Sequence, residues 1–132
     1  MKLMLDTHTL LWAIGKTNEL SEKAALEIKD ANNDVCVSAV SLWEIALKQS
    51  VGKLIVDFDI INIPEYCMKM GFELIPLDPA DALNSMQLPQ KDNHKDPFDR
   101  MLIYQCIVGN YTLISKDIKM ALYAKDGLKS LW

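Results

Sequence analysis

Seven acidic residues stand where an α/β chain places its ligand-binding groups: Asp6, Glu44, Asp78, Asp81, Asp96, Asp99 and Asp117. Each falls at the end of a predicted strand or the start of a predicted helix. In open α/β sheets, ligands sit outside the carboxyl ends of the strands, where helix N-termini converge. Taken singly, each acid has a structural use. Asp6, Asp78, Asp96 and Asp117 can be N-caps, and Glu44, Asp81 and Asp99 can close capping boxes from the third helical position. Taken together at one sheet edge, they repel one another and raise each other's pKa. Such a cluster is tolerable mainly beside a cation, and an all-oxygen donor set selects a hard ion such as Mg²⁺ or Mn²⁺. An ion held this way lowers the pKa of bound water and offsets charge in an in-line phosphoryl displacement. The residue types alone do not choose among the seven. Asp78 and Asp81 compete on equal terms until the strand order is known.

The elements that position these groups alternate between short apolar strands and helices. Strands are predicted over residues 2–5, 35–39, 72–77, 111–115 and 128–132. A first helix covers 7–14, with Gly15 as its stop. Ser21 caps a second helix to about residue 31, with Leu20 and Ala25 as a hydrophobic staple, and Asn32–Asn33–Asp34 is a turn. Ser41 and Glu44 have capping-box spacing at the start of a third helix, with Val40 and Ile45 as the staple. Residues 51–59 read as irregular or as a short helical turn. Residues 62–65 open a helix that runs to Met70 and stops at Gly71. Residues 78–81 cap a helix to about Gln87, and 88–95 read as a polar loop. Asp96, with Pro97 at the first helical position, opens a helix to Val108 that is apolar on almost every side and therefore central. Gly109 and Asn110 end it. Asp117 caps a last helix over 118–124. Strand–helix alternation of this kind predicts one α/β domain, residues 1–132, with a parallel sheet covered on both faces.

Composition narrows the function classes. Eighteen Asp and Glu against fourteen Lys and Arg give a formal charge of −4. That excludes the simplest nucleic-acid binder, which carries a basic excess, but not an enzyme whose chelating carboxylates make the total negative. No apolar stretch approaches the ~20 residues of a membrane span, and the start MKLMLD has no signal-peptide core. Cys36, Cys67 and Cys106 are odd in number, far apart and set among apolar neighbours, which predicts buried thiols in a reducing cytoplasm. Two histidines, His8 and His94, argue against a structural zinc site.

Five segments together resemble the PIN-domain ribonucleases, specifically the VapC-type toxins of bacterial toxin–antitoxin pairs. They are LDTHTLLW at 5–12, VSAVSLWEIALK at 37–48, GKL at 52–54, HKDPFDRMLIYQ at 94–105 and LISKD at 113–117, in family order over nearly the whole chain. The resemblance implies a five-stranded parallel sheet in the order 3-2-1-4-5. It places Asp6, Glu44, Asp99 and Asp117 at the family's acidic positions around a metal. Asp78 and Asp81 then follow edge strand three and return to capping. Asp96 becomes the N-cap that points Asp99 inward, and Ser115 stands beside the last acid, able to hold a water or a phosphate oxygen. Tyr104 and Cys106 depart from the family's usual small residues, and residues 55–70 match nothing specific in a region that often helps form an antitoxin groove.

The function implied is a Mg²⁺-dependent endoribonuclease, with Mn²⁺ as a substitute, in which a metal-activated water cuts an RNA phosphodiester to leave a 5′-phosphate and a 3′-hydroxyl. The implied partners are an RNA substrate, a small antitoxin and a second copy of the chain. RNA requires positive charge to grip its backbone. Lys91, Lys95, Arg100, Lys116 and Lys119 flank the expected site as a basic rim, and Arg100, Lys116 and His94, with Ser115 and Asp96, are expected either to touch the substrate or to stand behind the metal ligands. Trp12 and Trp43 lie on helices that begin at the site, as core residues or as stacking platforms for bases. A metal-free ribonuclease would instead pair His8 with His94 as acid and base. Two rivals remain. A response-regulator receiver domain would use Asp78 after strand three, although Thr7 and His8, not a second acid, follow Asp6. A PIN-like fold kept only for binding would have no use for four intact acids.

Overall fold

A computed structural model describes residues 1–132. Strands β1 (Lys2–Leu5), β2 (Asp34–Ser38), β3 (Glu73–Ile75), β4 (Thr112–Ile114) and β5 (Lys129–Leu131) form one sheet. Its order is β3-β2-β1-β4-β5, and all pairings are parallel. The central strand is therefore β1, with Met4 opposite Cys36 on one side and Leu113 on the other. This order excludes the receiver alternative, whose sheet runs 2-1-3-4-5. With β3 at the edge, Asp78 is carried away from the centre.

Alternation along the strands divides the core in two. Leu3, Leu5, Val35, Val37 and Ile114 pack against α1 (Thr7–Gly15), α2 (Glu22–Lys29), α3 (Ala39–Ser50) and α4 (Ile63–Lys69), through Leu10, Leu11, Ala24, Ile45, Ile63 and Cys67. Met4, Cys36 and Leu113 point the other way. They meet Leu102, Ile103 and Cys106 of α6 (Pro97–Gly109), with Met120 and Tyr123. Successive strand residues face opposite sides of a sheet, so a parallel sheet covered on both faces carries continuous apolar runs. All three cysteines are free and buried. No helix is long and apolar enough to cross a membrane.

Several predicted boundaries move, each for a local reason. Helix α3 begins at Ala39, not after Ser41, because Ser38 at the end of β2 is the N-cap and its Oγ accepts from Val40 N at 3.1 Å. Glu44 then lies beyond the third helical position and closes no capping box. Ser41 is buried inside the helix, with its hydroxyl unpartnered. Helix α5 is short, Pro79–Asn84, and continues as a 3-10 turn over Ser85–Gln87. Residues Ile118–Asp126 form a 3-10 segment where an α-helix is predicted. Helix α6 ends on Asn110, whose left-handed φ of 58° lets its N–H reach the carbonyls of Cys106 and Ile107. The 88–95 segment is not a simple polar loop, since Leu88 and His94 are both buried.

Candidate active site at the carboxyl edge of the sheet

The three central strands end at one edge, and four stretches of chain leave from it. Asp6 follows β1, Glu44 stands in α3 after β2, Asp96 and Asp99 open α6, and Ser115 and Asp117 follow β4. Asp6, Glu44, Asp96, Asp99 and Asp117 all line a pit of about 390 Å³. Thr7, His8, Thr9, Trp12, Lys48 and Lys116 complete its walls. Asp78 and Asp81 do not belong to it.

Each carboxylate is held by a short local network. Asp6 caps α1. Its Oδ1 accepts from Thr7 N at 2.8 Å, and its Oδ2 accepts from Ser115 Oγ at 2.6 Å. Ser115 Oγ in turn accepts from Asp117 N at 3.1 Å. Glu44 is only 4% exposed. Thr7 Oγ1 donates to its Oε1 at 2.6 Å, and Lys48, one helical turn on, pairs with its Oε2. Asp99 Oδ2 faces His94 Nε2 at 3.0 Å. Asp96 accepts from Phe98 N and Asp99 N, as its N-cap role requires, and Asp117 accepts from Lys119 N at 2.9 Å.

The electrostatics are those of crowded, partly dried carboxylates. Burial pushes the Asp6 carboxyl above its ordinary value, against the pull of Ser115 and Thr7, and Glu44 adds to the rise. Burial raises Asp99 further, to about 6; its hydrogen bond with His94 opposes this, and the charges of Asp96, Asp6 and Glu44 reinforce it. Lys48 moves the other way in charge and the same way in pKa. Its bond to Glu44 raises it, with smaller help from Asp96 and Asp99. Three or more of these groups are not gathered to ligate one ion as they stand. Most of their oxygens are turned toward protein donors instead, chiefly Thr7, Lys48, Ser115 and His94.

The other predicted site residues divide. Lys116 lines the pit, with its Nζ 5.8 Å from the centre of the Trp12 ring. Arg100 is not on the rim. It is 7% exposed, and its guanidinium donates to the carbonyls of Leu88 at 2.6 Å and Pro89 at 3.2 Å. Adjacent helical residues point about 100° apart, so Asp99 and Arg100 cannot both face the pit. Lys91 is tied to Asp126 at 3.1 Å, while Lys95 and Lys119 are exposed. The two histidines do not form a pair across the pit. His8 lies in the wall beside Trp12, and His94 is buried between Asp99 and Tyr123. Lys48, Thr7 and Tyr123 escaped the sequence reading. For Lys48 a signal existed, the Glu44–Lys48 spacing of four.

A PIN-domain family model matches residues 3–126. The chain belongs to the PIN-domain family. No curated protein sequence matches it significantly, so likeness to solved structures supplies the rest. A VapBC2 complex from Rickettsia felis, bound to a DNA fragment from its promoter, contains a chain 22% identical, with a TM-score of 0.70 over 100% of this chain and 99% of that one. A DNA-bound VapBC from Salmonella typhimurium gives 18% and 0.67, over 99% and 97%. FitAcB from Neisseria gonorrhoeae gives 17% and 0.63, over 100% and 97%. At these identities the likeness is one of fold, and it extends over the whole of this PIN domain.

Proposed function

We propose that this PIN domain is a metal-dependent endoribonuclease, the toxin of a type II toxin–antitoxin pair. The observation that carries the reading is Glu44. It is a buried carboxylate in mid-helix with no capping duty, set in one pit with Asp6, Asp99 and Asp117. Burying a carboxylate is costly even with Lys48 and Thr7 as its partners, and buried carboxylates of this kind concentrate at functional sites. The donor set fits Mg²⁺, or Mn²⁺ in its place. It is all oxygen, and Asp6, Glu44, Asp96, Asp99 and Asp117 share one pit with two lysines, Lys48 and Lys116, in its walls.

Asp6, Glu44 and Asp99 would hold the ion, directly or through water, and Asp117 would hold a second ion or orient a water. When bound, the metal supplies a water of lowered pKa and offsets charge on the phosphate. The chain's own residues do the rest. Ser115 and Thr7 hold Asp6 in one orientation, and Asp96 fixes the first turn of α6 so that Asp99 faces inward. Lys48 and Lys116 offer the positive charge that an RNA phosphate needs, and Trp12 offers an aromatic wall. Beside the pit, Leu11, Trp12, Leu54, Ile55, Val56 and Phe58 line an apolar cavity of about 300 Å³. Ile55 there is 91% exposed. A small antitoxin covering that groove is supported by the VapBC complexes whose fold this chain shares; a homodimer and a cytoplasmic setting complete the reading.

RNA cleavage measured with Mg²⁺ or Mn²⁺, with EDTA, and with Asp6→Asn tests the proposal. Cleavage should require the ion and fall about a thousandfold in the variant, as loss of several kcal/mol of charge stabilisation implies. Metal-independent cutting, or equal cutting by the variant, would sink it. Binding of RNA or antitoxin with no cleavage would favour the non-catalytic PIN-like module.

A further inference from the structure

Behind Asp99 lies a second polar network, unusual for its burial. Tyr123 is fully buried and His94 is 5% exposed. Tyr123 Oη lies 3.0 Å from His94 Nδ1 and 3.5 Å from Arg100 Nη1. His94 Nε2 lies 3.0 Å from Asp99 Oδ2. A guanidinium donates and never accepts, whereas a phenol has one hydrogen to give. Of the polar atoms that Tyr123 Oη meets, only His94 Nδ1 can take that hydrogen. The direction of every bond then follows: Arg100 donates to Tyr123, Tyr123 to His94 Nδ1, and His94 Nε2–H to Asp99.

We infer that Arg100 and Tyr123 fix His94 as the Nε2–H tautomer, and that His94 in this form is a positioning residue for the Asp99 carboxylate. The opposite tautomer fails twice. It leaves the buried phenol hydrogen without an acceptor, and it turns a bare nitrogen lone pair on a carboxylate oxygen. Buried polar groups left unpaired are the costly case. The backbone of His94 is itself held, since its N–H donates to Lys91 O and its carbonyl accepts from Gln90 Nε2 at 3.3 Å. Arg100 is held chiefly by the carbonyls of Leu88 and Pro89 and reaches Tyr123 as well. Its burial away from the rim is the far end of a chain of donors that ends on Asp99. A ligating group oriented by such an outer partner loses affinity when the partner is removed. The tautomer stands on geometry alone; the consequence for metal affinity rests on the nuclease reading.

The imidazole ¹⁵N spectrum of the intact protein reads the tautomer directly, with His94→Gln assigning the signals by their loss. The expected pattern has Nε2 protonated and Nδ1 bare, with that preference lost in Tyr123→Phe. A hydrogen on Nδ1, alone or with Nε2, overturns the tautomer. Mn²⁺ titration by calorimetry then reads the positioning. Gln carries an amide donor near the place of Nε2, and the shorter Asn does not. His94→Asn should bind Mn²⁺ about tenfold to a hundredfold more weakly, while His94→Gln stays within about threefold of the unmodified protein. Equal loss, or no loss, in both variants overturns the positioning role. A wild-type protein that binds no Mn²⁺ overturns it together with the metal reading, while the spectrum still decides the tautomer.

Discussion

Two stretches of this chain carry almost the same local message. Asp78-Pro79-Ala80-Asp81 opens α5, and Asp96-Pro97-Phe98-Asp99 opens α6. Both use Asp as the N-cap, Pro at the first helical position and Asp at the third. Both caps form: Asp78 accepts from Ala80 N at 2.7 Å, as Asp96 does from Phe98 N and Asp99 N. One stretch ends as an exposed surface turn beside edge strand β3, the other as a wall of the carboxylate pit. What separates them is the residue between the acids. Phe98 is buried and meets Trp43 edge-on at 5.0 Å, pinning α6 where the central strands end. Ala80 is exposed and pins nothing. A cap motif says where a helix begins; an anchor beside it says whether that beginning faces anything.

The sharpest break between the two comes from exchanging the acids for amides. Asp99→Asn should lower RNA cleavage about a thousandfold, through lost charge stabilisation of several kcal/mol, and Asp81→Asn should leave it unchanged. Comparable losses would mean the pit is not the site. Next in size is the anchor. Phe98→Ala should destabilise the protein by about 3 kcal/mol in urea unfolding, whereas Ala80→Phe should stay within about 0.5 kcal/mol. The smallest effect concerns pH. The folded-state pKa of Asp99, about 6, lies above its ordinary value of 3.8. The native state therefore favours the protonated form, and the stability tied to it is full below pH 4 and lost as pH rises through 6. In metal-free buffer at pH 8, Asp99→Asn should stabilise the fold by about 2 kcal/mol, a gain absent at pH 4. Lower stability of the variant at pH 8 would contradict the electrostatic account of the pit.

Five strands and their alternation with helices were legible from apolar runs and turn residues, and the strand order came from the family resemblance. The start of α3 was not legible. In Ser38-Ala39-Val40-Ser41 both serines are good caps, and the choice falls to tertiary structure, where Ser38 Oγ also donates to Gln105 of α6. That choice shifts Glu44 from a capping position to a buried one. The acids themselves were legible as types and positions. Arg100 was read onto the rim because adjacency in sequence to Asp99 reads as adjacency at the site, while helical geometry turns the two apart and leaves Arg100 behind it. Tyr123 gave no signal at all, since it lies in a 3-10 segment whose shape is set by packing under α6.

The hydrogen bond from Ser115 to Asp6 joins residues 109 positions apart. It ties the end of β1 to the end of β4. Chains emerge N-terminus first, so Asp6 and Glu44 leave the exit tunnel long before α6 and β4 exist to close the pit around them. A growing chain thus holds scattered carboxylates and no assembled pit, and whatever chemistry the pit supports arises only once α6 and β4 have emerged.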